Sequence, residues 1–189
     1  NDARSALTAP EVMLAARDTL TLAAGSAINA QGAGGNAGSI STAGNGAFVR
    51  AASSSASFTR TGSPDRSQGT LIGAADSVLL AAKAIAIDAT QDNAFAGQLA
   101  FVKEGVAVAG ELSAGSSRIN FGSPAQPVDG LTFSQSELDG LQSLDSLALT
   151  SYSTFDFHGD VDVGGVGSDG KPLIKNLTLQ GAGLAGFGG

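Results

Sequence analysis

The stretch Leu144–Gly181, LDSLALTSYSTFDFHGDVDVGGVGSDGKPLIKNLTLQG, decides how the fold is read. It repeats one small unit, two apolar residues flanking a small or polar one: Leu147-Ala148-Leu149, Phe155-Asp156-Phe157, Val161-Asp162-Val163 and Leu177-Thr178-Leu179. Period-two alternation puts both apolar residues of a unit on one strand face and the middle residue on the other. Each unit soon meets Gly, Ser, Asn or Asp, the residues that favour turns. Phe155 and Leu177 are 22 residues apart, close to the repeats of about 20 residues that solenoids stack.

Working outward, the same unit occurs as Leu20-Thr21-Leu22, Ile85-Ala86-Ile87, Val106-Ala107-Val108 and Ile119-Asn120-Phe121. An antiparallel sandwich would need strands of about 5–6 residues joined by hairpins. A parallel β-solenoid needs only two or three inward residues per face, because each strand is covered by the next coil. The expectation is therefore an all-β parallel solenoid. Leu20, Leu22, Ile85, Ile87, Leu147, Leu149, Leu177 and Leu179 should point inward, and Thr21, Asp156 and Asp162 outward.

Two stretches also suit a helix, PEVMLAARDTLTLAA from Pro10 and SVLLAAKAIAIDA from Ser77, since Ala and Leu are good helix formers. Both end in strict alternation before turn residues, which favours strands. One short helix is expected in SQSELDGLQSL: Ser134 and Glu137 have capping-box spacing, and Leu138, Leu141 and Leu144 would form one apolar stripe. The chain then divides into solenoid coils over 1–121 with a surface loop at 53–69, an insertion or joint over 122–143 with the short helix, and further coils over 144–189. One continuous solenoid with decorated loops is the preferred alternative. The absence of a leader-like opening at Asn1 and the closing Gly188-Gly189 read as cut ends of a longer chain.

Composition excludes several function classes. The 189 residues include 27 Gly, with only 14% charged and 5% aromatic, against roughly a quarter charged in ordinary domains. The 42% apolar content argues against disorder. The net charge is −7, and Arg4, Arg17, Arg50, Arg60, Arg66, Lys83, Lys103, Arg118, Lys171 and Lys175 are scattered singly, so no nucleic-acid partner is expected. Without cysteine there is no disulfide framework or thiolate metal site. The uncharged interval Thr19–Val49 contains Asn29, Gln31, Asn36 and Asn45 and falls short of the apolar run of about 18 residues that a membrane span needs.

Candidate chemistry is sparse. His158, the only histidine, lies in FDFHGD with no second imidazole or nucleophile elbow, and reads as a surface residue near a turn. Gly164–Asp169, GGVGSD, begins like a calcium-binding nonapeptide, but occurs once and meets Lys171 where an apolar residue is needed. Asp160 and Asp162 open like an EF-hand loop, again with Lys171 where Glu is required. The G-x-G-x-x-G matches at Gly165–Gly170 and Gly181–Gly186 lack a following helix, and Asn176-Leu177-Thr178 is a glycosylation sequon by letter only. No catalytic, cofactor-binding or metal residue is assigned and no cofactor is expected. The remaining enzymatic reading is a polysaccharide-acting β-helix using Asp156, Asp160, Asp162 and Lys175 along one groove, with paired carboxylates as acid and base; a carbohydrate-binding solenoid is the other alternative.

The segment LTFSQSELDGLQSLDSLALTSYSTFDFHGDVDVGG, followed by LIKNLTLQGAGLAG, resembles the filamentous haemagglutinin-like outer-membrane proteins of Gram-negative bacteria. Leu144, Leu147, Leu149, Ser151-Tyr152, Phe155-Asp156-Phe157, Gly159 and Leu177-Leu179 carry the resemblance, while LTLAAGSAINAQG and VLLAAKAIAIDA look like that family's ordinary repeats. The resemblance implies a right-handed parallel β-helix of a secreted or cell-surface adhesin. It also implies export of the parent chain through an outer-membrane transporter of the two-partner type, and attachment to a receptor or glycan on a host or neighbouring cell. No enzymatic activity is expected.

Overall fold

The computed structural model describes residues 6–34 and 38–188. Arg4, Asn36 and Gly189 lie outside the described residues.

The elements are nearly all strands, and short. The first are β1 (Ala6–Thr8), β2 (Glu11–Ala16), β3 (Thr19–Leu22), β4 (Ala27–Ala30), β5 (Gly38–Ala43), β6 (Ala47–Ala52), β7 (Ala56–Thr61), β8 (Thr70–Gly73), β9 (Val78–Ala81) and β10 (Ala84–Ala89). They continue as β11 (Asp92–Phe95), β12 (Gln98–Lys103), β13 (Val106–Ala107), β14 (Glu111–Ser116), β15 (Ile119–Gly122) and β16 (Leu131–Phe133). After the helix α1 (Gln135–Leu141) come β17 (Ser146–Ser151), β18 (Thr154–His158), β19 (Asn176–Gln180) and β20 (Gly183–Phe187). The two stretches that also suited a helix are strands, β2–β3 and β9–β10.

These strands form five separate sheets: β1-β4-β9-β12-β13, β19-β17-β14-β10-β6-β2, β11-β8-β3, β16-β15-β18-β20, and the pair β5-β7. Pairing is mixed. β10, β14, β17 and β19 run parallel, whereas β6 is antiparallel to both β2 and β10, and β13 is antiparallel to β12. This overturns the expected single right-handed parallel β-helix, because the chain forms several separate mixed sheets with no closed solenoid. The physical reason lies in what alternation encodes: it assigns side chains to faces but is silent on strand direction. Direction is set by turns such as Gly44-Asn45-Gly46, whose glycines take φ of 73° and 154° before β6, in a region that only glycine enters freely.

Within the six-stranded sheet two ladders of small and apolar residues run from edge to edge. One is Val12–Ala51–Ile85–Leu112–Leu147–Leu177, and the next on the same face is Leu14–Val49–Ile87–Ala114–Leu149–Leu179. Their central members are buried with Leu71, Leu79, Ile119, Phe121 and Phe155 in one core. Phe121 stacks on Phe133 and Phe155 at centroid distances of 6.2 and 6.0 Å, and Phe157 packs against it tilted at 4.9 Å.

Several expectations need correction. The interval 53–69 is not simply a loop: Ala56, Phe58 and Arg60 alternate inward on β7, and Phe58 stacks on Phe48 at 4.3 Å. Within 122–143, β16 pairs in parallel with β15. Val161-Asp162-Val163 forms no strand, and Val106 is exposed on a short hairpin. Leu177 and Leu179 are not buried. Asp156, expected to face outward, is buried. Helix α1 has the capping box: Glu137 N–H donates to Ser134 Oγ, and Ser134 N–H donates to the Glu137 carboxylate at 2.8 Å. Leu138 and Leu144 are buried in the core, with Leu141 against it.

Candidate functional site

Turns at one side of the strands build an open polar groove of about 510 Å³, lined by Arg66, Thr70, Gln91, Asp92, Ser117, Arg118, Asp129 and Ser153. Its floor is set by backbone pairing. Gln91 N–H donates to Gly69 O, Leu131 N–H to Arg118 O, and the Ser153 hydroxyl to Ser117 O at 2.6 Å. These bonds tie together the turns that precede β8, β11, β15, β16 and β18.

Two arginines and two aspartates face this space. Arg118 Nε lies 3.3 Å from the buried Asp156 carboxylate, which also accepts from the Thr154 hydroxyl at 2.7 Å. Asp92 accepts from Gly130 N–H at 3.0 Å, while the Asp129 side chain is exposed. Arg66 is exposed with φ of 63°, uncommon for a residue bearing a Cβ. Its turn is held by Asn45 and Asp65: Arg66 N–H donates to Asn45 Oδ1, and the Asp65 carboxylate accepts from Asn45 Nδ2 and from the Ser67 hydroxyl and N–H. Hydrogen bonds from the Ser67 hydroxyl, then Asn45, then the Ser67 backbone lower the Asp65 carboxyl to about 2. The groove thus presents fixed acceptors and forked donors on an open floor, chemistry suited to hydroxyl-rich ligands.

A second polar cluster lies beneath β7, with the Arg60 and Asp88 side chains nearly closed to solvent and Tyr152 half-buried. Arg60 on β7 donates through Nε (2.9 Å) and Nη2 (2.5 Å) to Asp88 Oδ2 on β10, and Tyr152 OH donates to Asp88 Oδ1 at 2.5 Å. Arg60 also donates to Gly44 O and Gly46 O. Burial pushes the Asp88 carboxyl above its ordinary range against the pull of Arg60 and Tyr152, and burial followed by the Asp88 charge pushes the Tyr152 phenol up. Gly115, opposite Asp88 in the sheet, leaves the space this carboxylate needs: a Cβ there would lie 2.0 Å from Asp88 Oδ1. The cluster, with Arg50 Nη1 on β6 donating to Gly38 O on β5 and Ser57 O on β7 at 3.2 Å each, clamps the β5–β7 pair onto the six-stranded sheet.

The residues nominated from the sequence are not brought together. Asp156 is paired with Arg118, and Lys175 Nζ with Asp145 at 2.5 Å. Asp162 Oδ1 accepts from Gly165 N–H at the turn, and Asp160 is exposed. These positions therefore supply no paired carboxylates on one groove. His158 is half-buried rather than on the surface; its ring stacks on Phe187 at 5.1 Å, and its buried Nε2 has no hydrogen-bond partner among the described residues. Gly164–Asp169 belongs to a turn closed by Gly167 N–H to Lys171 O and by Lys171 N–H to Asp169 Oδ1. Among the described residues no group of three or more His, Cys, Asp or Glu could hold a metal ion, and no helix is long and apolar enough to cross a membrane.

The sequence reading missed the groove and the clamp. One signal was available: the Ala56/Phe58/Arg60 alternation marks a strand whose arginine faces the same way as its phenylalanine. Compared with known proteins, the chain matches no family model, no curated protein and no solved structure. The resemblance to haemagglutinin-like proteins rests on the residues quoted for it.

Proposed function

We propose that this chain is a structural and adhesive module of a large bacterial secreted or cell-surface protein, holding glycans of a host or neighbouring cell in the Arg66–Arg118 groove. The observation that carries this reading is the groove itself. It is open, about 510 Å³, and lined by two arginines, two aspartates, a glutamine, a threonine and two serines on backbone-bonded turns. Hydroxyl-rich ligands need paired donors and acceptors held in place, and rigid placement lowers the cost of ordering on binding. The pairing of the Arg118 side chain with Asp156, and the hold of Asn45 on the Arg66 backbone, support that placement. Export of the parent chain through an outer-membrane transporter of the two-partner type belongs to the same proposal and is supported by the sequence resemblance.

The test is binding of immobilised neutral and acidic oligosaccharides, followed by titration of the retained ones. Hydrogen bonds to charged groups contribute about 1.5–3 kcal/mol each, so Arg66→Ala or Asp129→Ala should weaken binding by roughly tenfold or more with an unchanged melting temperature. Retention of no saccharide, or binding indifferent to both substitutions, would refute the reading.

A further inference from the structure

The Arg66–Arg118 groove does not end at Ser153. A second open space of about 230 Å³ lies beside it, lined by the Gly62–Pro64 loop and by Thr150, Tyr152 and Gln180. Pro64 stands just before the Asp65-Arg66 pair and Tyr152 immediately before Ser153, so one loop and one turn wall both spaces. β17, which leads into that turn, is paired on both sides, with β14 and with β19. The second space therefore opens on a lateral face of the molecule and not at an end of its sheets.

Both walls are held in place. Gly62 takes a φ of 80° as the chain leaves β7, a conformation that favours glycine. The loop is fastened again where the Asp65 carboxylate accepts from Asn45 and Ser67. On the other wall Tyr152 N–H donates to Ser116 O at 2.9 Å, and Ala182 N–H donates to Ser153 O at 2.8 Å.

Tyr152 gives the second space its chemistry. Its hydroxyl is committed inward, donating to Asp88 Oδ1 and accepting from Arg60 Nε at 3.2 Å. What it offers the space is its ring, fixed by those two bonds. The Arg60 guanidinium also borders the space, but it is committed to Asp88 and to the Gly44 and Gly46 carbonyls and adds no free charge. A rigid aromatic face beside the Thr150 hydroxyl and the Gln180 amide matches a neutral pyranose, whose C–H face is apolar and whose rim carries hydroxyls. Tyrosine supplies such contact area at low entropic cost.

We propose that Tyr152 forms a second saccharide subsite continuous with the Arg66–Arg118 groove. The ligand is then an oligosaccharide of several sugar units lying along the 62–66 loop, with a neutral pyranose stacked on the Tyr152 ring. This deepens the glycan reading and rests on it.

Tyr152 is the only tyrosine of the chain, which has no tryptophan, so tyrosine emission reports on this ring alone. The full chain is titrated with the oligosaccharides retained by the immobilised panel, with their constituent monosaccharides, and with malto- and chito-oligosaccharides from monomer to hexamer. Bound oligosaccharides should change the Tyr152 emission and bind roughly tenfold more tightly than their monosaccharides. Ser63→Leu, at an exposed loop position, crowds the subsite without touching the Tyr152–Asp88 bond and should remove that advantage. Tyr152→Leu should remove it as well, with thermal melts to check folding; if this variant fails to fold, Ser63→Leu and the wild-type emission decide. Binding that does not depend on chain length, or that leaves the emission unchanged and is indifferent to Ser63→Leu, would overturn the second subsite and leave the groove reading standing. Retention of no saccharide of any length would overturn both.

Discussion

Leu147-Ala148-Leu149 and Leu177-Thr178-Leu179 are nearly the same word in sequence and sit in adjacent strands in register, yet they occupy different environments. Leu147 and Leu149 are 0% and 1% exposed, whereas Leu177 and Leu179 are 42% and 39% exposed. The ionic groups divide in the same way. Asp88 is enclosed by Arg60 and Tyr152 beneath the β5–β7 pair, while Asp145 bridges Lys83 and Lys175 at the surface. Position within the sheet, more than the local sequence, sets what each group contributes.

The largest expected effect lies in the enclosed cluster. Asp88→Ala leaves the Arg60 guanidinium buried without its counter-charge, and breaking such a pair costs about 3–5 kcal/mol. Replacing both partners with apolar residues, Arg60→Met with Asp88→Leu, should recover part of that loss in chemical denaturation, because the cost is mainly an unpaired buried charge. If Asp88→Ala were as mild as a surface substitution, the cluster would not be the clamp described above.

The apolar pair gives the next effect and the most direct comparison. Leu147→Ala removes a fully buried side chain between two covered strands and should cost about 2–5 kcal/mol. Leu177→Ala, one strand away on the same ladder, removes much less buried surface and should cost under about 1 kcal/mol, by the usual area scaling. These values should be measured by chemical denaturation under one set of conditions. Equal losses at the two positions would show that β19 is as well covered as β17.

This comparison also shows where the sequence was legible. Alternation located the strands at Leu20–Leu22, Ile85–Ile87 and Leu147–Leu149 and their inward faces, because side-chain period is a local property. The capping box at Ser134 and Glu137 was legible for the same reason. Strand direction at β6 was not, since it depends on the Gly44 and Gly46 turn and on which neighbours the chain meets. Nor was the burial of Asp156 and Asp88, which sit at ordinary outward positions of their strands. Arg118 covers Asp156 from the turn before β15, and β7 covers Asp88 from 28 residues away in sequence. The groove was hidden in the same way, its lining being spread from Arg66 to Ser153.

The smallest expected effect is electrostatic and has a definite sign. Hydrogen bonds from Lys175 and then Lys83 lower the half-buried Asp145 carboxyl at the surface to about 2, below an ordinary value of about 3.9. A carboxyl lowered on folding stabilises the fold above its unfolded value, and that contribution disappears as pH falls through the folded one. Asp145→Asn should therefore lower the melting temperature slightly at neutral pH. The gap from the wild-type chain should narrow from about pH 4 downward and close near pH 2, and salt should shrink it at every pH because exposed charges are screened. Burial acts on Asp88 in the opposite direction, so its carboxyl opposes folding as pH rises through its raised value, and this enclosed pair is less sensitive to salt. Melting curves at several pH values and two ionic strengths separate the two carboxylates. An Asp145→Asn gap that persisted at pH 2, or that resisted salt, would mean that the substitution acts through packing rather than charge.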